Sequence, residues 1–277
     1  MTLSIESRSE PPPTRAELVT QLVAAGLAGE VATPRANSLE HFHRLADGDP
    51  DLLLGLDLDR RWSFERVLAL MAERSGAPPD PADPFGPDVI DPERTVAALD
   101  RMAARLRRAG AERNTVLLAT GHPGGLLAAH LAIGRLLLAV GAELLTVPGD
   151  IAAGGGDVRQ LDGVALLHAG GHLRHTHSPT WMERLLDRLA AAGRPPPDLV
   201  VADHGWAGCA GQRGIDTVCF ADCNDPALFV AEAEGTVAVT VPVEDNFPYD
   251  RYEPMNAYLV ARAHPDAPGL DGSSPAG

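Results

Sequence analysis

Hydrophobic positions follow two periods along this chain, and the changeover falls near residue 115. Before it, apolar residues recur every three or four positions: Leu18, Leu22 and Ala25; Leu39, Phe42 and Leu45; Phe64, Val67, Leu68 and Met71; Val96, Leu99, Met102 and Leu106. This is the stripe of amphipathic helices. Each has a start signal: a Thr14–Glu17 capping box, Asn37-Ser38, Ser63, and Asp91-Pro92 with proline in the first turn. After residue 115 come short apolar runs, Thr115–Thr120, Glu143–Val147, Gly163–His168, Leu199–Ala202, Thr217–Phe220 and Thr236–Val241. Helical segments at Leu126–Val140, Pro179–Ala192, Ala227–Ala233 and Pro254–Ala261 lie between or after them. The alternation predicts an α/β fold: a mainly parallel, Rossmann-like sheet with helices on both faces and a helical N-terminal region. The expected divisions are a flexible arm (1–13), the helical region (14–110), the α/β core (111–263) and a disordered tail (264–277). Asp150–Asp162, with three consecutive glycines, reads as a flexible loop.

Composition narrows the function. A net charge of −15 argues against nucleic-acid backbones and anionic membranes as partners. The N-terminus has no apolar signal core and no run of about 18 apolar residues occurs, so a cytoplasmic protein is expected. The sequence contains no lysine, which removes Schiff-base and P-loop chemistry. It also counts against haloacid-dehalogenase phosphatases, whose nucleophile motif Asp57-Leu58-Asp59 approaches but Arg60-Arg61-Trp62 then breaks. Cys209, Cys219 and Cys223 form neither a disulfide framework nor a zinc ribbon. Ile215 stands where a tyrosine-phosphatase loop after Cys209 needs arginine, and no Gly-x-Ser-x-Gly elbow exists.

Three constellations remain. Gly121-His122-Pro123-Gly124-Gly125 joins a strand to a helix, and a glycine-rich helix N-terminus suits an anion; Gly121, His122, Gly124 and Gly125 are phosphate-cradle candidates. His168, His172, His175 and His177 follow a strand, and His175 with His177 would face one ion if the segment is extended. Arg174 beside them suits a phosphate. The third constellation is acidic. Asp203-His204, Asp222-Cys223-Asn224-Asp225 and Glu244-Asp245-Asn246 each follow a strand, and loops at the carboxyl ends of parallel strands share one rim. One of Asn224 and Asp225 is expected to cap a helix that starts at Pro226. The segment from Asp203 to Gly214 reads as a glycine-rich loop that brings backbone amides and Arg213 to a ligand.

ATGHPGGLL (119–127), ADHGWAGCAG (202–211), FADCNDPALFVAEAEG (220–235) and VPVEDNFPYDRYEP (241–254) together resemble an actinobacterial family catalogued as "phosphatase". The logic of acids on an α/β rim is also similar to metal-dependent damage-control phosphatases, with His204 standing where those have asparagine. The expectation is a phosphatase of a small phosphorylated metabolite that uses Mg²⁺ or Mn²⁺. Asp203, Asp222, Asn224 and Asp245 are the metal candidates. Asp203, His204 and Asp225 are the catalytic candidates, and Arg213 assists the phosphate cradle. A non-catalytic binder of a phosphorylated sugar or nucleotide, or a sugar-phosphate isomerase or lyase, is the alternative.

Overall fold

The computed structural model describes residues 11–59, 61–149 and 151–266. Most of the expected N-terminal arm and C-terminal tail lies outside the described residues.

The chain begins α1 (Arg15–Ala25), β1 (Gly29–Pro34), α2 (Arg35–Ala46), α3 (Phe64–Arg74), β2 (Pro87–Ile90) and α4 (Pro92–Ala111). It continues β3 (Thr115–Thr120), α5 (Pro123–Ala139), β4 (Glu143–Leu144), β5 (Ile151–Ala153), β6 (Gly156–Leu161), β7 (Val164–Ala169), β8 (His172–Arg174) and α6 (Thr180–Ala191). The last part is β9 (Leu199–Asp203), α7 (His204–Gln212), β10 (Thr217–Ala221), α8 (Pro226–Glu234), β11 (Val239–Pro242) and α9 (Glu253–Ala263). Two helix starts follow their expected capping, whereas α2 begins at Arg35, ahead of the expected Asn37-Ser38, and Ser63 precedes α3 without a side-chain cap bond. Thr14 and Glu17 satisfy each other's amides at α1, and Asp91 accepts from Glu93 N–H at α4.

The main sheet is mixed, in the order β11-β10-β9-β3-β7-β6-β5, with β4 on the edge of β3 and β8 on β7. Pairing is parallel from β11 to β7 and antiparallel at β5, β6 and β8. β9 and β10 are buried at every position, which is why they read as unbroken apolar runs. Successive residues feed opposite cores. Leu117, Ala119, Val200, Ala202 and Cys219 pack with α2, α3, α6, α7 and α8. Val116, Leu118, Leu199, Val201 and Phe220 pack with α1, α4, α5 and α9. The N-terminal helices are therefore divided between the two faces of the sheet.

Two segments differ from expectation. Residues 151–161 form an antiparallel hairpin that widens the sheet, with Gly154 and Gly155 at its turn. The expected loop after Asp203 is helix α7, and its glycines serve packing. A Cβ at Gly205 would overlap the His177 carbonyl, and one at Gly208 the Leu54 carbonyl. The three-residue spacing of these glycines gives α7 a bare face on which other backbone segments rest.

The strand order singles out one place along the sheet. From β3 the chain moves outward through β4–β8, then returns to β9 on the other side of β3. The direction of winding reverses between β3 and β9, the kind of point at which open α/β sheets bind ligands outside the carboxyl ends of their strands.

Candidate active site

Three helices start at this rim, and the residue at each N-cap turns its side chain away from capping. His122 precedes α5, Asp203 precedes α7 and Asp225 precedes α8, and none makes a side-chain cap hydrogen bond. Asp225 does occupy the expected N-cap position, but its carboxylate points to His204 instead. The first amides of each helix lack intrahelical partners, so three partly positive helix ends converge here.

Asp203 is fully buried. Its Oδ1 accepts from Gly121 N–H at 2.7 Å, across the point where the winding reverses, and lies 2.8 Å from His204 Nδ1. An ionised carboxylate only accepts, so Nδ1 carries the proton and Nε2 faces the rim. Burial alone would raise the Asp203 pKa; the His204 hydrogen bond and charge, with His130 and Thr120, hold it down to about 2. His204 has φ +47°, a left-handed conformation uncommon for a non-glycine residue. The chain thus passes from β9 into α7 without a linker and swings this imidazole over the rim.

Nε2 of His204 lies 3.4 Å from Asp225 Oδ2 and 3.5 Å from Asp245 Oδ2. Burial pushes the His204 pKa down, but Asp225, Asp203 and Asp245 outweigh it and hold it up to about 10. The cluster therefore demands a positive charge at this position. His122 Nδ1 lies 3.1 Å from Asp245 Oδ1, yet neither it nor Asp245 Oδ2 makes a hydrogen bond, although both residues are more than nine-tenths buried.

The strap between β8 and α6 adds two more imidazoles. Thr176 N–H donates to the Gly121 carbonyl at 2.9 Å, so the strap runs extended along the end of β3 and turns His175 and His177 to the same side. His175 stacks on His122 with centroids 4.4 Å apart, and His177 lies 4.4 Å from His204. Burial, reinforced by the neighbouring imidazoles, lowers His175 to about 4 and also lowers His177. Both are neutral near pH 7, the form in which imidazole binds metal.

The remaining acids sit beside Asp245. Asp222 Oδ2 accepts from Thr33 Oγ1 at 2.6 Å, and Glu244 Oε2 accepts from Thr33 N–H at 3.1 Å. Burial, then the charges of Asp245 and Glu244, push Asp222 well above the usual carboxylate range. Donor atoms of His122, His175 and His204 lie within 4.8 Å of one another, and the same holds for His177, His204 and Asp225 and for Asp222, Glu244 and Asp245. Among the described residues, the ion pairs of Asp203, Asp225 and Asp245 are all with imidazoles.

A family model described as Phosphatase matches residues 13–266. The chain belongs to the phosphatase family. It is 52% identical over 253 residues to Phosphatase SCO2771 of Streptomyces coelicolor, which spans 91% of this chain and 97% of that protein. The resemblance to an actinobacterial phosphatase family, first visible in the GHPGG, ADHGWAG and CNDP segments, is thereby established.

In this phosphatase-family chain the structure brings His122, Asp203, His204, Asp222, Asp225 and Asp245 together. A Cβ at Gly121 or Gly125 would overlap the carbonyl of Thr176 or Asp245, so backbone packing requires these two glycines, whereas Gly124 borders open space. Two expected residues lie apart. The Asn224 side chain donates to Asn37 Oδ1 at 2.8 Å rather than joining the carboxylates. Arg213 pairs with Asp187 at 2.6 Å beyond the far end of α7, about 13 Å along a nine-residue helix from the rim. Arg174 is exposed on β8. Sequence reasoning did not single out Thr33, Asn37 or His41, which come from β1 and α2. His41 Nδ1 lies 2.7 Å from the Asn224 carbonyl oxygen. Glu244 was visible only as part of an acidic run. Among the described residues, no helix is long and apolar enough to cross a membrane.

Proposed function

We propose that the protein is a divalent-metal-dependent phosphatase of a small phosphorylated metabolite, and that the rim is its active site. One observation carries this: His122 Nδ1 and Asp245 Oδ2, both deeply buried and without hydrogen bonds, face a set of imidazoles and carboxylates. Donor atoms around one ion at 2.0–2.2 Å stand about 3.0–3.5 Å apart. The contacts among His122, His204, Asp225 and Asp245 span 3.1 to 3.5 Å. The strand order and the rim location also support a Rossmann-like reading of the sheet.

A bound ion would neutralise phosphate charge and activate water for attack on phosphorus. His204 would hold it through Nε2, while Asp203 fixes the ring from behind through Nδ1. Helix starts at Gly124-Gly125 and at Ala227 offer amides to the phosphate oxygens, a task that falls to them because no guanidinium pairs with the rim acids. Asp222, whose pKa burial and the neighbouring acids raise, would supply the proton that the leaving oxygen requires. Asn37, His41 and Asn224, half-buried beside it, contact the leaving group and limit it to a small polar molecule. The negative net charge disfavours a nucleic-acid substrate.

The test is phosphate release from p-nitrophenyl phosphate and a panel of sugar phosphates and nucleotides, with Mg²⁺, Mn²⁺, Co²⁺ and Zn²⁺ supplied separately. Release that chelation abolishes and metal restores is expected. No release with any of these ions sinks the proposal.

A further inference from the structure

We propose that the rim is a two-cation centre bridged by Asp245, with imidazole-rich ligands on both sides that select transition metals over Mg²⁺. The inference rests on the metal-dependent reading above and goes beyond it in number, ligand set and class of ion.

Asp245 is the pivot. Its two oxygens face different partners: Oδ1 is 3.1 Å from His122 Nδ1, and Oδ2 is 3.5 Å from His204 Nε2. Neither contact is a hydrogen bond, and Oδ2 has no hydrogen-bond partner. His122 groups with His175 and His204, and His204 also groups with His177 and Asp225, the donor atoms of each group lying within 4.8 Å of one another. Asp245 itself groups with Asp222 and Glu244, and its two oxygens reach the imidazoles of His122 and His204. A carboxylate whose two oxygens face different ligands could bridge paired ions, as in two-metal hydrolytic sites.

Charge supports two ions rather than one. Asp203, Asp225, Glu244 and Asp245 offer up to four negative charges at a rim where no arginine pairs with them among the described residues. Once a metal ion has displaced the His204 proton, one dication leaves that charge half compensated, whereas two match it. Ligand chemistry then selects the class. Four imidazoles suit Mn²⁺, Fe²⁺, Co²⁺ or Zn²⁺, while Mg²⁺ prefers oxygen donors and retained water. Thr33, Asp222 and Glu244 lie to one side as an all-oxygen group, and that group supplies the proton donor and the outer hydrogen bonds.

The experiment uses the full chain, stripped with a chelator, desalted and reloaded with Mn²⁺ or Zn²⁺. Metal per chain is measured by plasma mass spectrometry, and the Mn²⁺-loaded protein is examined by electron paramagnetic resonance. Two ions per chain and an exchange-coupled dimanganese signal are expected. His175→Ala, a change at an exposed position on the strap, should lower the count to one and leave an uncoupled Mn²⁺ spectrum. Asp245→Asn should lose the coupling and most of both ions. One ion per wild-type chain, or two in His175→Ala, overturns the inference, as does Mg²⁺ at equal concentration displacing Mn²⁺. Phosphate release measured on the same samples keeps the two claims separate. Release with one ion per chain removes only the two-cation centre, and two coupled ions without release remove only the phosphatase reading.

Discussion

The two ends of the central strands treat charge in opposite ways. At the amino ends, Arg105, Asp198 and Asp216 are partnered. Arg105 Nε donates to Asp216 Oδ2 at 2.6 Å, and its other nitrogens reach Asn114 Oδ1. Asp198 accepts from both the N–H and the hydroxyl of Thr115 at 2.8 Å. At the carboxyl ends, buried acids crowd together and His122, His130, Asp203 and Asp245 keep atoms without hydrogen bonds. One end is built to hold the sheet together. The other carries buried polar atoms without partners, and on the metal-dependent reading proposed above a bound ion would complete them, the usual trade between stability and function.

Variants can break this contrast. The largest effect is expected for Asp245→Asn, which should cut metal-dependent phosphate release by about a thousandfold or more, since a bound ion contributes several kcal/mol. The same variant should raise the stability of the metal-free protein by about 1 kcal/mol, because it removes a buried charge among like charges; urea unfolding in chelator reads this. A loss of metal-free stability would place Asp245 among the structural acids and erase the distinction. Next, Asp203→Asn should retain the fold and lower metal affinity or turnover about 10- to 100-fold, because His204 loses the acceptor that orients it. At the opposite end, Asp216→Ala should leave turnover unchanged but cost about 2 kcal/mol in urea unfolding, since it strands the mostly buried Arg105. The smallest effect concerns pH. The Thr115 N–H and hydroxyl bonds hold Asp198 below its ordinary pKa, so they contribute stability above the unfolded value, about 3.9, that is lost as pH falls through the lower folded value. Asp198→Asn should flatten that acid limb slightly, as seen in unfolding midpoints between about pH 5 and pH 2.

Much of this contrast was legible in the sequence, because the central strands are buried on both faces and each acid follows one directly. Asp203, Asp222, Asp225 and Asp245 could therefore be assigned to one rim before any coordinates. Helix α7 was hidden by its glycines, which have poor helix propensity, although their regular spacing at 205, 208 and 211 is itself a helical signal. Missing that helix also brought Arg213 to the wrong end. Thr33 and His41 had no local signature, and Asn37 read only as a helix start. They reach the rim only because β1 and α2 dock against the loops after β10 and β11, a tertiary event that no pattern in their own neighbourhood announces. The hairpin 151–161 was obscured by its glycine turn, which resembled disorder more than a strand reversal.

One contact has a kinetic consequence. Thr33 N–H meets Glu244 across 211 residues of sequence, so the rim closes only after almost the whole chain has been made and packed. Contacts of such separation slow folding, because loop-closure entropy is spent before they form. A nascent chain ending at residue 240 would carry Asp203, Asp222 and Asp225 but neither Glu244 nor Asp245.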